Sequence, residues 1–142
     1  MKKARTLFVT PLLLFAVSIC THAQDRSLVK ANIPFAFDVR NATLPAGTYY
    51  VTLATLFDDV IEVKSVDGRK SAIVMAPGIV EQAEAGQSRL VFQRIGDKYF
   101  LAQVWVQGSS IHRDVPKGKL EIKLAKRVEK SGDAVILASN KR

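Results

Sequence analysis

The stretch RLVFQRIGDKYFLAQVWV, residues 89–106, decides the fold of this chain. Two apolar runs rich in Val, Leu and aromatic residues lie on either side of Gly96-Asp97. This pattern is typical of a β-hairpin, because branched and aromatic residues favour strands and glycine allows a tight turn. Both alternating faces of the second run are substantially apolar, which predicts a central strand.

Residues that alternate or that favour strands recur on the N-terminal side of this hairpin. The predicted strands there are 33–39, 48–56, 60–66 and 71–76, separated by turn sequences such as Leu44-Pro45-Ala46-Gly47 and Asp67-Gly68. Residues 79–88 carry no such pattern and are predicted to form an exposed loop. Strands at these short intervals predict a mostly β fold, a single antiparallel β-sandwich or small barrel of about six to seven strands.

The C-terminal segment is ambiguous between helix and strand. Pro116 could open a helix over about 116–129, in which Leu120, Leu124 and Val128 form one apolar stripe. Residues 119–124 also alternate as a strand would. The Lys and Ala content and the length favour one C-terminal helix, followed by a last strand at about 134–138.

The first residues look like a cleavable signal peptide, residues 1–23. A short basic start precedes an apolar run of 13 residues, 7–19, which is shorter than the roughly 20 that a membrane span needs. Small residues, Thr21 and Ala23, then stand where signal peptidase requires them, and bulky Ile19 disfavours lipidation of Cys20. We therefore expect an exported, periplasmic or extracellular protein with no transmembrane span after cleavage, whose single β-rich domain covers residues 24–142 and lacks cysteine.

The positive charge is concentrated near the C-terminus. Residues 24–112 have nine bases and nine acids, whereas residues 113–142 have nine bases and four acids. One hypothesis is that this segment binds an anionic envelope surface or a cell-wall polymer. The contact residues would then be Lys117, Lys119, Lys123, Lys126 and Arg127. The alternative is a solvated surface that keeps the protein soluble, and nucleic acid is not expected outside the cytoplasm.

Tyr99, Gln103 and Trp105 are the candidate ligand-binding residues. In a regular strand they share one face, and aromatic faces stack on sugar rings, so the pattern suggests a carbohydrate platform. The alternative is that Trp105 is a core residue with its ring nitrogen hydrogen-bonded.

Catalytic and metal-binding side chains are scarce after residue 23. His112 is the one histidine there, and a small hydrolase using it with Ser109, Ser110 and Asp114 would need a geometry that neighbours on one short loop rarely achieve. One histidine without cysteine does not indicate a metal site, and there is no glycine-rich phosphate loop. The sequence therefore predicts a non-enzymatic protein with no cofactor.

Four segments together carry a family resemblance. They are IPFAFDV (33–39), LPAGTYYV (44–51), RLVFQRIGDKYFLAQVW (89–105) and HRDVPKGK (112–119). The chain resembles uncharacterised small secreted β-domain proteins of acidobacteria and related soil bacteria. The resemblance implies an exported β domain and brings no catalytic residues. The first hypothesis is thus a non-catalytic envelope or extracellular module that binds a polymer, a surface or another envelope protein.

Overall fold

Two β-sheets carry the structure. The computed structural model describes residues 27–54, 59–82, 86–127 and 133–137, so the predicted signal peptide lies outside the described residues. Within these ranges we number eleven strands and one helix in chain order. They are β1 Ser27–Ile33, β2 Phe37–Val39, β3 Ala42–Leu44, β4 Gly47–Leu53, β5 Val60–Ser65, β6 Ser71–Met75, β7 Gly78–Val80, β8 Arg89–Ile95, β9 Lys98–Trp105, β10 Ile111–Asp114, α1 Lys119–Ala125 and β11 Asp133–Leu137.

The first sheet is antiparallel, with the strand order β1-β4-β5-β6. Alternation predicted its buried face correctly, since Ile61 and Val63 are buried while Glu62 and Lys64 point away from the core. Gly68 in the turn between β5 and β6 has a φ of 71°, a conformation that glycine adopts at little cost. The turn sequence and the alternation together therefore set the register of this hairpin.

The second sheet is built around β9. Its main order is β11-β8-β9-β10-β7, and β2 pairs in parallel with the N-terminal half of β9 while also pairing with β3. Strands β2 and β10 therefore pair with the same edge of β9, β2 near its N-terminal end and β10 near its C-terminal end. The prediction of a central strand is confirmed, and the two sheets form a sandwich-like arrangement rather than a closed barrel.

Aromatic rings join the two sheets. Phe92 on β8 contacts Phe35 and Phe37 edge-on, each with ring centroids 5.3 Å apart. Phe37 in turn meets Tyr49 of the first sheet at 5.2 Å, and the Tyr49 hydroxyl donates a hydrogen bond to the Pro45 carbonyl. Edge-to-face pairs of this kind add stabilisation beyond their buried area. These rings fill the core between the sheets.

Three sequence predictions about strands are wrong. The predicted strand 33–39 is two strands, because Pro34 has no N–H for the ladder and the chain crosses between sheets at 34–36. The predicted loop 79–88 contains part of β7, which pairs with β10, a strand that the sequence did not indicate. Strands β7 and β10 have three and four residues, which is too short for alternation to show, and β7 lies at the edge of the second sheet.

The C-terminal helix is confirmed, but it is shorter than predicted. Helix α1 begins at Lys119 rather than at Pro116, since Val115 is still tied to the sheet by a hydrogen bond from its N–H to the Ala102 carbonyl. The apolar stripe is wrong as well: Leu120 is 39% exposed, whereas Glu121 is only 4% exposed. Residues 128–129 lie outside the described residues, and β11 matches the predicted last strand to within one residue. No helix in the described ranges is long and apolar enough to cross a membrane.

Gly118 fixes the start of α1 against the turn between β2 and β3. A Cβ atom at position 118 would lie 1.7 Å from the Arg40 carbonyl oxygen. Next to it, the Lys119 N–H donates a hydrogen bond to Asn41 Oδ1. Arg40 itself is held at a φ of 58°, so this turn has little freedom to move away. A side chain at Gly118 must therefore displace the helix or the turn.

We expect Gly118→Ala to lower the free energy of unfolding by about 1–3 kcal/mol, the usual cost of forcing extra volume into a packed site. Urea denaturation measures the difference. The control is Gly86→Ala, because a Cβ atom at position 86 would have no heavy atom within 4 Å and the φ of Gly86 is not in the left-handed region. Equal denaturation midpoints for Gly118→Ala and Gly86→Ala would contradict the conclusion that Gly118 is needed for the close packing of α1 on the Arg40 carbonyl.

Candidate functional site

A one-residue bulge in β9 divides its side chains between the two faces of the second sheet. Val91 pairs with Gln103 whereas Phe92 pairs with Leu101, which leaves Ala102 without a partner on β8. A bulge inserts one residue and so reverses which face the following side chains occupy. Leu101 and Val104 consequently both face the core, although they are three positions apart.

The expected shared face of Tyr99, Gln103 and Trp105 is wrong for this reason. Tyr99, before the bulge, packs on the core with its ring stacked on Phe35 at 3.8 Å. Gln103 and Trp105, after the bulge, lie on the outer face of the second sheet, which is the side turned away from the first sheet. Sequence alternation could not reveal this, because Ala102 looks like any other small strand residue.

Trp105 is sandwiched between two side chains on the outer face. Its cross-strand partners are Arg89 on β8 and His112 on β10. The Arg89 guanidinium carbon lies 4.2 Å from the ring centroid, and the His112 ring stacks at 4.3 Å with an interplanar angle of 13°. Both ring faces are occupied, so Trp105 does not form an open platform for a sugar ring.

Polar contacts continue from Trp105 along the outer face. The indole Nε1–H donates to Gln103 Oε1 at 3.1 Å, and Gln103 Nε2 donates to Asp114 Oδ1 at 3.0 Å. The hydrogen-bonded ring nitrogen matches the alternative interpretation of Trp105, but the ring lies outside the core between the sheets. The contacts fix the orientation of Gln103 and leave the second oxygen of Asp114 available.

His112, which forms one side of this stack, is only 3% exposed. Its Nε2 is 3.3 Å from Asp114 Oδ1, and its Nδ1, which has no hydrogen bond, is 3.7 Å from Glu81 Oε1. Ser109 does not contribute a nucleophile to this histidine, because its hydroxyl exchanges hydrogen bonds with the backbone of Ile111. The arrangement in the described residues lacks the serine–histidine hydrogen bond that a hydrolase of this type needs.

A polar groove of about 290 Å³ lies between α1 and the outer face of the second sheet. The residues that line it are Val91, Gln93, Ala102, Gln103, Asp114, Val115, Lys117 and Glu121. Sequence reasoning missed Gln93 and Glu121 as site residues. Gln93 sits at an outward position of β8, where a polar residue is ordinary, and the burial of Glu121 follows only from how α1 docks.

Glu121 is the charged side chain at the helix side of this groove. Burial raises the pKa of its carboxyl above the ordinary value of 4.5, while the Gly118 N–H, which donates to Oε2 at 3.4 Å, and the charge of Lys117 act in the opposite direction. The neutral, protonated carboxyl is thus favoured by the fold more than it is in the unfolded chain.

The basic residues predicted to contact an anionic surface are all exposed. Lys119, Lys123, Lys126 and Arg127 lie on the solvent side of α1 and the turn after it, and Lys117 precedes the helix. Leu120 and Ile122 flank these bases with exposed fractions of 39% and 44%. We call the set Lys119, Leu120, Ile122, Lys123, Lys126 and Arg127 the α1 surface. It combines positive charge with exposed apolar side chains.

No cluster of three or more His, Cys, Asp or Glu side chains that could hold a metal ion occurs in the part of the chain that the structure describes. Glu81 and Asp114 approach opposite nitrogens of His112 and so cannot share one ion with it.

Comparison with known proteins gives no relative: no protein-family model, curated protein or solved structure matches this chain. The resemblance to secreted proteins of soil bacteria stays a prediction.

We expect the stability of Glu121→Gln relative to the unchanged protein to rise with pH. A carboxyl with a raised folded pKa contributes stability that is fully present below its unfolded pKa and is lost as the pH rises through the folded pKa. Glutamine does not titrate, so the difference in unfolding free energy should shift in favour of the variant as the pH rises above 4.5, the ordinary pKa of the glutamate carboxyl. Urea denaturation at several pH values measures it, and a constant difference would contradict the raised pKa.

Proposed function

We propose that this chain is an exported, non-catalytic β domain that binds an anionic surface of the cell envelope through the α1 surface. The observation that carries the proposal is the cluster of exposed bases beside exposed Leu120 and Ile122 on one short helix. Large apolar side chains are normally buried when a helix packs on a sheet, so their exposure next to bases suggests a contact outside the chain.

Lipid headgroups fit this surface better than a purely polar polymer does. Each Lys or Arg near an anionic membrane contributes about 1 kcal/mol, so the four bases of the α1 surface contribute about 4 kcal/mol in total. Apolar side chains can enter the boundary between headgroups and acyl chains, whereas a hydrated cell-wall polymer offers them little. Glu121 does not oppose the attraction strongly, because it is buried on the opposite side of the helix.

The features of the first 23 residues support the proposed export to the cell envelope. The basic start, the apolar run 7–19 and the small residues Thr21 and Ala23 together support removal of a signal peptide. A module released in this way would meet the anionic outer leaflets and polymers of the envelope. The carbohydrate alternative finds less support in Trp105, whose ring faces are both covered.

Vesicle sedimentation tests the α1 surface. We expect the protein to bind vesicles of phosphatidylglycerol but not of phosphatidylcholine. Binding should fall steeply between about 0.1 M and about 1 M salt, where the Debye length drops from about 10 Å to about 3 Å. The double variant Lys123→Glu with Lys126→Glu should bind at least about tenfold more weakly, since it removes two attractive charges and adds two repulsive ones.

A matched control separates this surface from overall charge. Lys64→Glu with Lys98→Glu makes the same change in net charge at exposed positions outside α1 and should bind as the unchanged protein does. Leu120→Ser with Ile122→Ser should weaken binding to vesicles more than binding to isolated cell-wall polymer. Equal losses in both lysine double variants, or no binding to either material, would overturn the proposal.

Export has its own test. When the full 142-residue sequence is expressed in a bacterium, we expect the protein in the periplasmic or extracellular fraction with an intact mass that starts at Gln24. Ala23→Tyr should keep residues 1–23 attached, because signal peptidase accepts only small residues at that position. A wild-type protein that stays in the cytoplasm, or that retains its leader, would contradict export by this route.

A further inference from the structure

The groove beneath α1 contains a polar side chain whose hydrogen-bonding capacity is unused. Gln93 is only 7% exposed and lines the groove, yet its side-chain amide makes no hydrogen bond to any of the described residues. The amide is not enclosed by the protein, since His112 Nδ1 is the one fully buried side-chain polar atom without a partner in the part of the chain that the structure describes. The Gln93 amide is therefore open to a molecule in the groove. Gln93 thus offers a ligand in the groove both a hydrogen-bond donor and an acceptor.

The other groups of the groove provide both donors and acceptors. Gln103 is held in place by Trp105 and Asp114, and Asp114 keeps one carboxylate oxygen outside that hydrogen bond. Glu121 uses Oε2 for a long contact with the Gly118 N–H, and Lys117 adds an ammonium group at the rim. Two amides, two carboxyls and one amine thus converge on one small space.

The floor of the groove is aliphatic. Val91, Ala102 and Val115 line it between the polar groups. A ligand with hydroxyl groups around its edge and C–H groups on its face suits this combination, because each hydroxyl both donates and accepts hydrogen bonds. The volume of about 290 Å³ is near the lower end of the range of about 300–1,000 Å³ for small-molecule sites, which suits one ring and not an oligosaccharide.

A larger hollow of about 570 Å³ at the turn end of the first sheet lacks this property. Its Tyr49 hydroxyl is bonded to the Pro45 carbonyl, and its Asp67 carboxylate accepts from Ser65 and from the Arg69 N–H. The Tyr49 hydroxyl and the Asp67 carboxylate thus already have partners within the chain, unlike the amide of Gln93.

We propose that the groove beneath α1 binds a single sugar residue, with Gln93 as its central hydrogen-bonding group and Gln103, Asp114 and Glu121 around it. This site is separate from the α1 surface, since Lys119, Lys123, Lys126 and Arg127 do not line it. It also differs from an aromatic platform, because no aromatic ring lines the groove. A domain with both features would hold an anionic surface and a glycan at the same time.

Amide chemical-shift titration in NMR tests the site with glucose, galactose, mannose and N-acetylglucosamine as probes. We expect at least one of them to shift residues of β8, β9 and α1 in a saturable way with a millimolar dissociation constant, unchanged at about 1 M salt. No saturable shift in the groove with any of the four sugars at tens of millimolar would overturn the proposal. So would shifts that map to another surface.

Gln93→Leu is the decisive variant. It keeps the volume but removes an amide that has no partner in the fold, so its thermal midpoint should be equal to or above that of the unchanged protein. Its affinity for the sugar should fall by about twofold to tenfold for each hydrogen bond lost. Gln107→Leu, at an exposed position outside the groove, is the matched control and should bind normally. Unchanged sugar affinity in Gln93→Leu would contradict the assignment.

Separate variants distinguish failure of the sugar site from failure of the α1 surface. The Lys123→Glu with Lys126→Glu variant should bind the sugar like the unchanged protein, and Gln93→Leu should bind vesicles normally. Loss of both activities in either variant would indicate that the groove and the α1 surface are not independent sites, which contradicts the proposal as stated.

Discussion

The alternation of side chains along β9, interrupted once at Ala102, governs the arrangement of this molecule. A strand can send a residue only to one face or the other, so one extra residue reassigns every side chain beyond it. Before the bulge, Tyr99 and Leu101 face the core; after it, Val104 does. The carbonyl of the bulged residue also accepts the Val115 N–H, which brings the chain to the point where α1 begins. The outer face and the helix that covers it thus depend on the same local irregularity.

Helix α1 gives its two sides different environments. Glu121 on the inner side meets the sheet and closes the polar groove, whereas the bases and two apolar residues on the outer side meet solvent. A helix of seven residues has little stability of its own, so both surfaces rely on tertiary contacts. The close approach of Gly118 to the Arg40 carbonyl and the hydrogen bond to Asn41 supply them. The geometry of both sites therefore traces back to the turn between β2 and β3.

Much of the sandwich could be predicted from the sequence, because its longer strands follow simple rules, apart from β1, of which only Ile33 lay in a predicted strand. Residues 60–66 alternate regularly, and Gly96-Asp97 marks a hairpin that the structure contains. The short strands β7 and β10 could not be predicted, since three or four residues carry too little pattern. The candidate site was harder to predict from the sequence. Gln93 and Glu121 become candidate site residues only because partners distant in sequence bury them. The position of Trp105 depends on a bulge that no residue type signals.

The chain has one tryptophan, Trp105, and it lies in the stack on the outer face. Arg89 covers one side of the indole and His112 the other, while Gln103 links its ring nitrogen to Asp114 in the wall of the groove. The tryptophan fluorescence of the protein therefore comes from a single known position, which is stacked on an imidazole ring and is linked through Gln103 to the groove. Emission from this one indole can follow events at the outer face in solution without any added label.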